Sequence, residues 1–440
     1  MDRRKGLQTI SALALAAFAN NGIPANIVAA AEKVTKGKVI GGASKYDFRA
    51  LFSKLVSVIQ RKGEEVIFGD KRITNDLLQA EALRYFTRIC AAGLISQVEG
   101  NDPAWPNFIK ILSPWLNWGY PNPDGTYTFA NLHGDYEYRL YGKRGQARLF
   151  DIEMWEGDIA DLGSAVSIGG RRSIYGGKSN LQIDDDGSFE VVLSANERSG
   201  NWIRLPHGHA HLYVRQWYYD YENEAPGEFY IERVGAQFPR PPLTPKNHVE
   251  NVERLIQFID TVFTPLNKGI AMHYASKPDI VPFPAGLISS GNAFRNQSYG
   301  RGRFACQLDE AVILEVTPPQ AEYWMFGLLS PFWESYDWLG RQISINGHQA
   351  VIDDDGKFRA VIAHQDPGVP NWLDASGHTQ GLIAARYNWS EDIPIPTLKT
   401  IPFASLAATL PSTTKRISTA ERHEILRRRN LSQRRRGVDW

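Results

Sequence analysis

"LQIDDDGSFEVVLSANERSGNW", Leu181 to Trp202, and "AVIDDDGKFRAVIAHQDPGVPNW", Ala350 to Trp372, spell one pattern twice. Ile183 lines up with Ile352, Gly187 with Gly356, Phe189 with Phe358, and Asn201-Trp202 with Asn371-Trp372. Each copy is a pair of alternating apolar runs joined by an Asp-Gly turn, where the backbone needs the positive φ that Gly adopts without a steric penalty. The offset of about 170 residues is far longer than a solenoid repeat and marks a duplicated domain. Short strands with frequent turn signals predict a mainly β fold with accessory helices, built as two homologous β-sandwich-like units of jelly-roll type.

Outward from these units, the chain divides by texture. Residues 32–118 are helical: Phe48, Leu51, Phe52, Leu55 and Ile59 recur at helical spacing, and so do Leu78, Ala82, Tyr85 and Ile89. The first β unit covers 119–235 and the second 291–410. Between them, residues 236–290 hold the Pro-rich "FPRPPLTP" and a helix capped by Thr244 with Pro245 in its first turn, predicted to brace the two halves. Residues 411–440 form a basic helical tail in which Ser418 and Glu421 make a capping box.

With 49 Lys and Arg against 48 Asp and Glu, the net charge of +1 lacks the strong positive field of a nucleic-acid binder, so nucleic acid is not an expected partner. The arginine-rich tail is expected to be a solvated surface or a patch that docks on an acidic protein partner. Cys90 and Cys306 suit neither a disulfide framework nor a zinc site. At the other end, Arg3-Arg4, the apolar run Ile10 to Phe18 and the small residues Ala29-Ala30-Ala31 have the order of a twin-arginine export signal over residues 1–31, which predicts a periplasmic or secreted protein. The alternative is an Ala-rich helix packed on the body of a cytoplasmic protein. The apolar run is too short to span a bilayer, and no integral membrane segment is expected.

The stretch from Tyr323 to Trp389 resembles the domain of unknown function 1214 family, through Tyr323, Trp324, Asp355, Gly356, Asn371, Trp372, Leu373, Asp374, Gly377, His378 and Arg386. The first copy matches through Asp186, Gly187, Asn201, Trp202, Gly208 and Arg215, and departs at Arg204, where the second copy has Asp374. The resemblance implies a β-sandwich-like fold and no established activity.

Both copies place an arginine in an apolar strand. By strand parity His209, His211, Tyr213, Arg215 and Trp217 share one face, and His378, Gln380, Leu382, Ala384 and Arg386 share the equivalent face. A buried arginine needs a partner. Two partners stand open for Arg215 and Arg386: an internal carboxylate, or an anionic substrate. The first reading of each Asn-Trp pair is structural, the Asn bonding neighbouring backbone at a turn and the Trp anchoring that corner in the core. The second makes Trp324 and Trp372 the aromatic wall of a substrate-binding set that also takes in His209. Asp374, four residues before His378, and Glu334 compose an acid–base set in which a carboxylate orients an imidazole. The expected ligand is a small organic or glycan-like anion held in the second unit, with catalysis as the first reading and a non-catalytic ligand- or protein-binding module as the second.

No cofactor is expected, since phosphate loop, dinucleotide fingerprint and nucleophile elbow are all missing. His207, His209 and His211 in "PHGHAH" have no supporting acidic or thiol ligand, so no metal is assigned to them. The "DDDG" runs lack the ordered oxygen ligands of a calcium loop and are assigned to turns.

Overall fold

The structure, a computed structural model, describes residues 44–158, 172–176, 181–264, 266–267, 270, 280–283 and 297–437. The leader expected over residues 1–31 lies outside them. Two compact units divide the chain, Met1–Ala50 and Leu51–Trp440. Residues 44–50 are the described part of the first. Apart from Phe48–Ala50, the first three residues of a helix, all that follows concerns the second.

Its strands repeat as the sequence pattern requires. In the first repeat β1 (Gly125–His133), β7 (His209–Trp217), β3 (Leu149–Glu156) and β4 (Arg172–Gly176) form one sheet in that order. Opposite it lie β6 (Trp202–Arg204), β5 (Ser188–Ser194), β2 (Tyr138–Lys143) and β8 (Glu228–Arg233). In the second repeat β13 (Ser344–Asn346), β12 (Ala321–Leu329), β16 (Gln380–Ser390), β10 (Gln297–Ala305) and β9 (Ile280–Phe283) make the larger sheet. Its smaller sheet is β15 (Trp372–Asp374), β14 (Phe358–Ala363), β11 (Glu310–Val316) and β17 (Thr397–Pro402). Strands β10 to β17 therefore take the places of β1 to β8, with β9 added at the edge.

The repeated motifs do the same work in each copy. Gly187 and Gly356 have φ of 84° and 78° at their Asp-Gly turns, a region that favours glycine. The Asn201 amide donates to the carbonyls of Gln182 and Glu190 at 2.8 and 2.9 Å, and that of Asn371 to Val351 and Arg359 at 2.6 and 2.9 Å. Trp202 and Trp372 each donate Nε1–H to a carbonyl of the neighbouring strand, Ser194 and Ala363, at 3.0 Å. These pairs pin the short parallel strands β6 and β15 to β5 and β14.

Between the sheets of each repeat lies an aliphatic and aromatic core: Leu140, Ile152, Val191, Leu212 and Val214 in the first, and Val312, Leu314, Trp324, Phe326, Phe358 and Ile383 in the second. The outer faces of the sheets that carry β7 and β16 are buried as well, because helices cover them. Helix α1 (Phe48–Gly63) leads to α2 (Asp76–Gly93), and α3 (Pro245–Thr261) follows the first repeat. The expected capping of α3 is present, Thr244 and Asn247 bonding reciprocally. From α2 and α3, Tyr85, Ile89, Phe258 and Ile259 join Tyr127, Tyr213, Trp217, Tyr323 and Met325 in one cluster that spans both repeats. The stripe expected on α1 is not all buried: Phe52 is 66% exposed, and Val58 packs inward instead.

Helix α4 (Thr419–Gly437) corrects the reading of the basic tail. Its capping box is as expected, with Glu421 N–H donating to Ser418 Oγ at 3.2 Å and Ser418 N–H to Glu421 Oε2 at 2.7 Å. Three of its arginines, however, face the protein, while Arg427, Arg428, Arg434 and Arg435 stay exposed. Arg422, Arg429 and Arg436 are buried. Arg422 pairs with Asp366 of the second repeat at 2.9 Å, and Arg435 donates to the Tyr221 carbonyl after β7 at 2.7 Å. The tail fastens one repeat to the other through Arg422 and Arg435. No helix of the described residues is long and apolar enough to cross a membrane.

Candidate functional site

The strand registers make Arg215 and Arg386 equivalent. Arg215 lies opposite Tyr127 on β1 and Asp151 on β3; Arg386 lies opposite Tyr299 on β10 and Met325 on β12. Both are buried, at 3% and 5% exposure. Their surroundings then diverge. Arg215 is clamped by Glu153, and Asp151 lies 3.4 Å away. In the second repeat Met325 stands where Asp151 would be, and Gly327 where Glu153 would be. No carboxylate forms an ion pair with Arg386 among the described residues.

What encloses Arg386 is aromatic. Its guanidinium carbon lies over the rings of Tyr120, Tyr299 and Trp217 at 4.6, 5.1 and 5.3 Å, and Nη2 donates to the Tyr120 carbonyl at 2.6 Å. Cation–π contacts of this kind are each worth about 0.5–2 kcal/mol and offset part of the desolvation, but the rings bring no net charge. Arg386 Nε has no hydrogen-bond partner among the described residues. Nor do Oδ1 and Nδ2 of Asn388, a buried residue two positions along the same strand face. Each orphaned buried polar atom costs about 1–3 kcal/mol, and three of them lie side by side here. Tyr120 and Trp333, whose rings meet tilted at 5.9 Å, adopt φ of 68° and 61°, left-handed values that are strained for bulky side chains.

The acid–base set assembles only in part. His378 sits in the turn before β16, stacked on Tyr336 at 4.2 Å, and its Nε2 is 3.0 Å from Glu81 on α2. Glu334 is 1% exposed and pairs with Arg88 of α2 at 2.6 Å. Arg84 reaches both carboxylates, 3.4 Å from Glu81 and 3.8 Å from Glu334. Burial pushes the Glu334 carboxyl up to about 7, Arg88 opposes this, and Glu81 adds to it. Asp374 is not the residue that orients His378. It pairs with Arg341 at 2.7 Å and accepts the Ser376 N–H at 2.7 Å, which closes its own turn. Glu81, far away in sequence, takes that place; its helical spacing from Leu78 and Tyr85 of the apolar stripe was the signal available in the chain.

Residues 125–219 match the DUF1214 family, described as a protein of unknown function. The DUF1214 match runs from β1 to the end of β7 and so takes in Arg215 with its two carboxylates, whereas the sequence resemblance was fuller in the second copy. An uncharacterised protein from Burkholderia cenocepacia, known from its crystal structure, is similar over 81% of this chain and 98% of its own, at 29% identity and a TM-score of 0.74. The VPA0106 protein from Vibrio parahaemolyticus aligns over 72% of this chain and 98% of its own, at 12% identity and a TM-score of 0.43. No curated protein matches.

Outside the DUF1214 match, two further site residues are placed differently from expectation. Trp324 has the opposite parity from Met325 and points into the core of the second repeat, against Phe326 and Phe358, so it cannot share a face with Arg386. Trp372 is spent on its strand-pinning bond and on stacking under Arg422. Inside the match, His209 is bonded through Nε2 to Arg254 of α3 at 2.8 Å and meets the His133 ring edge-on. His211 bonds the Gly157 carbonyl at 3.0 Å and stacks on Trp155. Among the described residues no cluster of three His, Cys, Asp or Glu could hold a metal. His378 and Arg386, eight residues apart along an extended segment, are separated by roughly 25 Å and do not line one pocket.

Proposed function

We propose that this chain binds a small organic or glycan-like anion, whose negative group pairs with Arg386 and whose polar atoms meet Asn388. The observation that carries the reading is the contrast between two equivalent arginines: the first repeat keeps the two carboxylates that neutralise Arg215, and the second has Met325 and Gly327 in their places. A buried guanidinium is retained where something compensates it. An anion from outside is the missing compensation, and the surrounding rings suit a planar or ring-bearing body.

Thermal unfolding of the Arg386→Met and Arg215→Met proteins with acetate, benzoate and glucuronate tests this. Arg386→Met is expected to unfold close to the parent and to lose whichever anion-induced rise the parent shows. Arg215→Met strands Glu153 and Asp151 and is expected to lose about 3–5 kcal/mol. Equal losses in both variants, with no anion response in the parent, would make both arginines structural.

A catalytic reading is favoured by one further observation, the Glu334 carboxyl held near 7 beside Glu81 and Arg84. A group with that pKa exchanges protons at neutral pH, which general acid–base chemistry requires. Export is proposed on the leader alone: protein recovered from its native host should begin near Glu32, and an intact Met1 in the cytoplasmic fraction would defeat it.

A further inference from the structure

A pocket of about 410 Å³ opens between α4, the Asp220–Glu222 segment after β7 and the second repeat, away from Arg386. Its volume lies within the range of small-molecule sites. Ile345, Val351, Ile417 and Ile425 supply an apolar lining, and Arg429 reaches it from α4. Arg429 is 6% exposed. Its Nη1 donates to Gln349 Oε1 at 3.0 Å and its Nη2 to Ser344 Oγ at 3.1 Å, both uncharged, while Nε has no partner among the described residues. The Tyr221 ring lies 5.5 Å beneath.

The carboxylates that share the pocket are committed elsewhere. Glu424 holds Arg427 at 2.8 Å, Glu222 holds Arg428 at 3.2 Å, Asp220 accepts from the Asn223 amide at 2.7 Å, and Glu421 caps α4 through Ser418. No carboxylate pairs with Arg429 among the described residues. Burial alone pushes its pKa down to about 10, with Asp124 as the one carboxylate that opposes the shift from a distance. The pocket thus offers, at an apolar wall, one buried cation without an ion-pair partner among the described residues.

We propose that this pocket is a second ligand site, independent of Arg386, which takes a monocarboxylate with an apolar body and seats the carboxylate on Arg429. One guanidinium matches one carboxylate in charge and in fork geometry, and the isoleucines and valine match an aliphatic chain. A ligand there touches both repeats and the tail helix at once, so its binding tightens the clasp that α4 makes.

The full chain titrated with hexanoate, and with 1-hexanol as the uncharged counterpart, tests the assignment by thermal unfolding and calorimetric binding. Hexanoate should raise the unfolding midpoint and hexanol should not. Arg429→Met should weaken hexanoate binding at least tenfold. Ile425→Trp fills the pocket with Arg429 intact and should weaken it likewise, which keeps the test sound if Arg429→Met folds poorly. Arg434→Met, which removes an exposed arginine of α4 that does not line the pocket, should bind hexanoate as the parent does. The proposal fails if hexanoate has no effect on the parent, if its effect survives both pocket variants, or if Arg434→Met removes it.

Discussion

Arg215 and Arg386 show how little a strand pattern says about a side chain's partner. Both are arginines in apolar strands with a tyrosine across the ladder, and their difference lies in what the third strand brings, Asp151 and Glu153 or Met325 and Gly327. The difference is open to a direct exchange. Met325→Asp places a carboxylate opposite Arg386 as Asp151 stands opposite Arg215. It is expected to abolish any anion response of the second repeat while holding stability within about 1 kcal/mol of the parent, because the carboxylate's desolvation offsets its attraction to the guanidinium. An unchanged anion response in Met325→Asp, measured by the same thermal shift, would mean that Arg386 is not the anion contact. That an arginine would be critical was legible from its burial in an apolar strand. Which arginine lacked a counter-charge was not, since the answer rests on residues of another strand, far away in the chain.

At the scale of elements, α2 is the part whose role the sequence concealed. Its helical periodicity announced a buried stripe, and Ala82, Tyr85 and Ile89 are indeed in the core. Glu81, Arg84 and Arg88 lie beside that stripe and reach across to Glu334 and His378. Docking of α2 should therefore depend on pH. The folded Glu334 carboxyl keeps its proton up to about 7 against an ordinary value of 4.5, so between those values the folded state binds more protons than the unfolded one. Stability must fall as pH rises through that window, by up to about 3 kcal/mol, and the contribution is fully present only below it. Denaturant unfolding of Glu334→Gln across the same window should show this slope flattened; a slope identical to the parent's would assign it to other groups. The tail helix α4 carries the opposite lesson. Its capping box was readable, but a run of arginines looks the same whether it meets water, a partner or its own chain.

For the whole molecule, a third cluster, shared by both repeats and the helices, joins the separate cores of the two repeats. Trp217 and Tyr323 meet across the repeat boundary at 5.8 Å, and Tyr323 donates its hydroxyl to Asp124 at 2.6 Å and accepts the Asn122 amide at 2.6 Å. Gln433 of α4 bonds the Pro123 carbonyl at the same seam. Residues 51–440 should accordingly unfold in a single calorimetric transition with matching van't Hoff and calorimetric enthalpies, although the chain is long enough for two independent domains. Two resolved transitions would show that the seam is weaker than its contacts suggest.

The sequence by itself determined the duplication, the β class, the Asp-Gly turns, the Asn-Trp corners and the capped helices α3 and α4, because each depends on residues adjacent in the chain and on periods of two or 3.6. It also determined which strand face would carry Arg215 and Arg386. Tertiary structure alone decided that His378 meets Glu81 rather than Asp374, that Trp324 faces the opposite side from Arg386, and that Arg422, Arg429 and Arg436 of α4 are buried. Those outcomes depend on which elements pack together, and a charge is paired or stranded only by what the fold brings within a few ångströms of it.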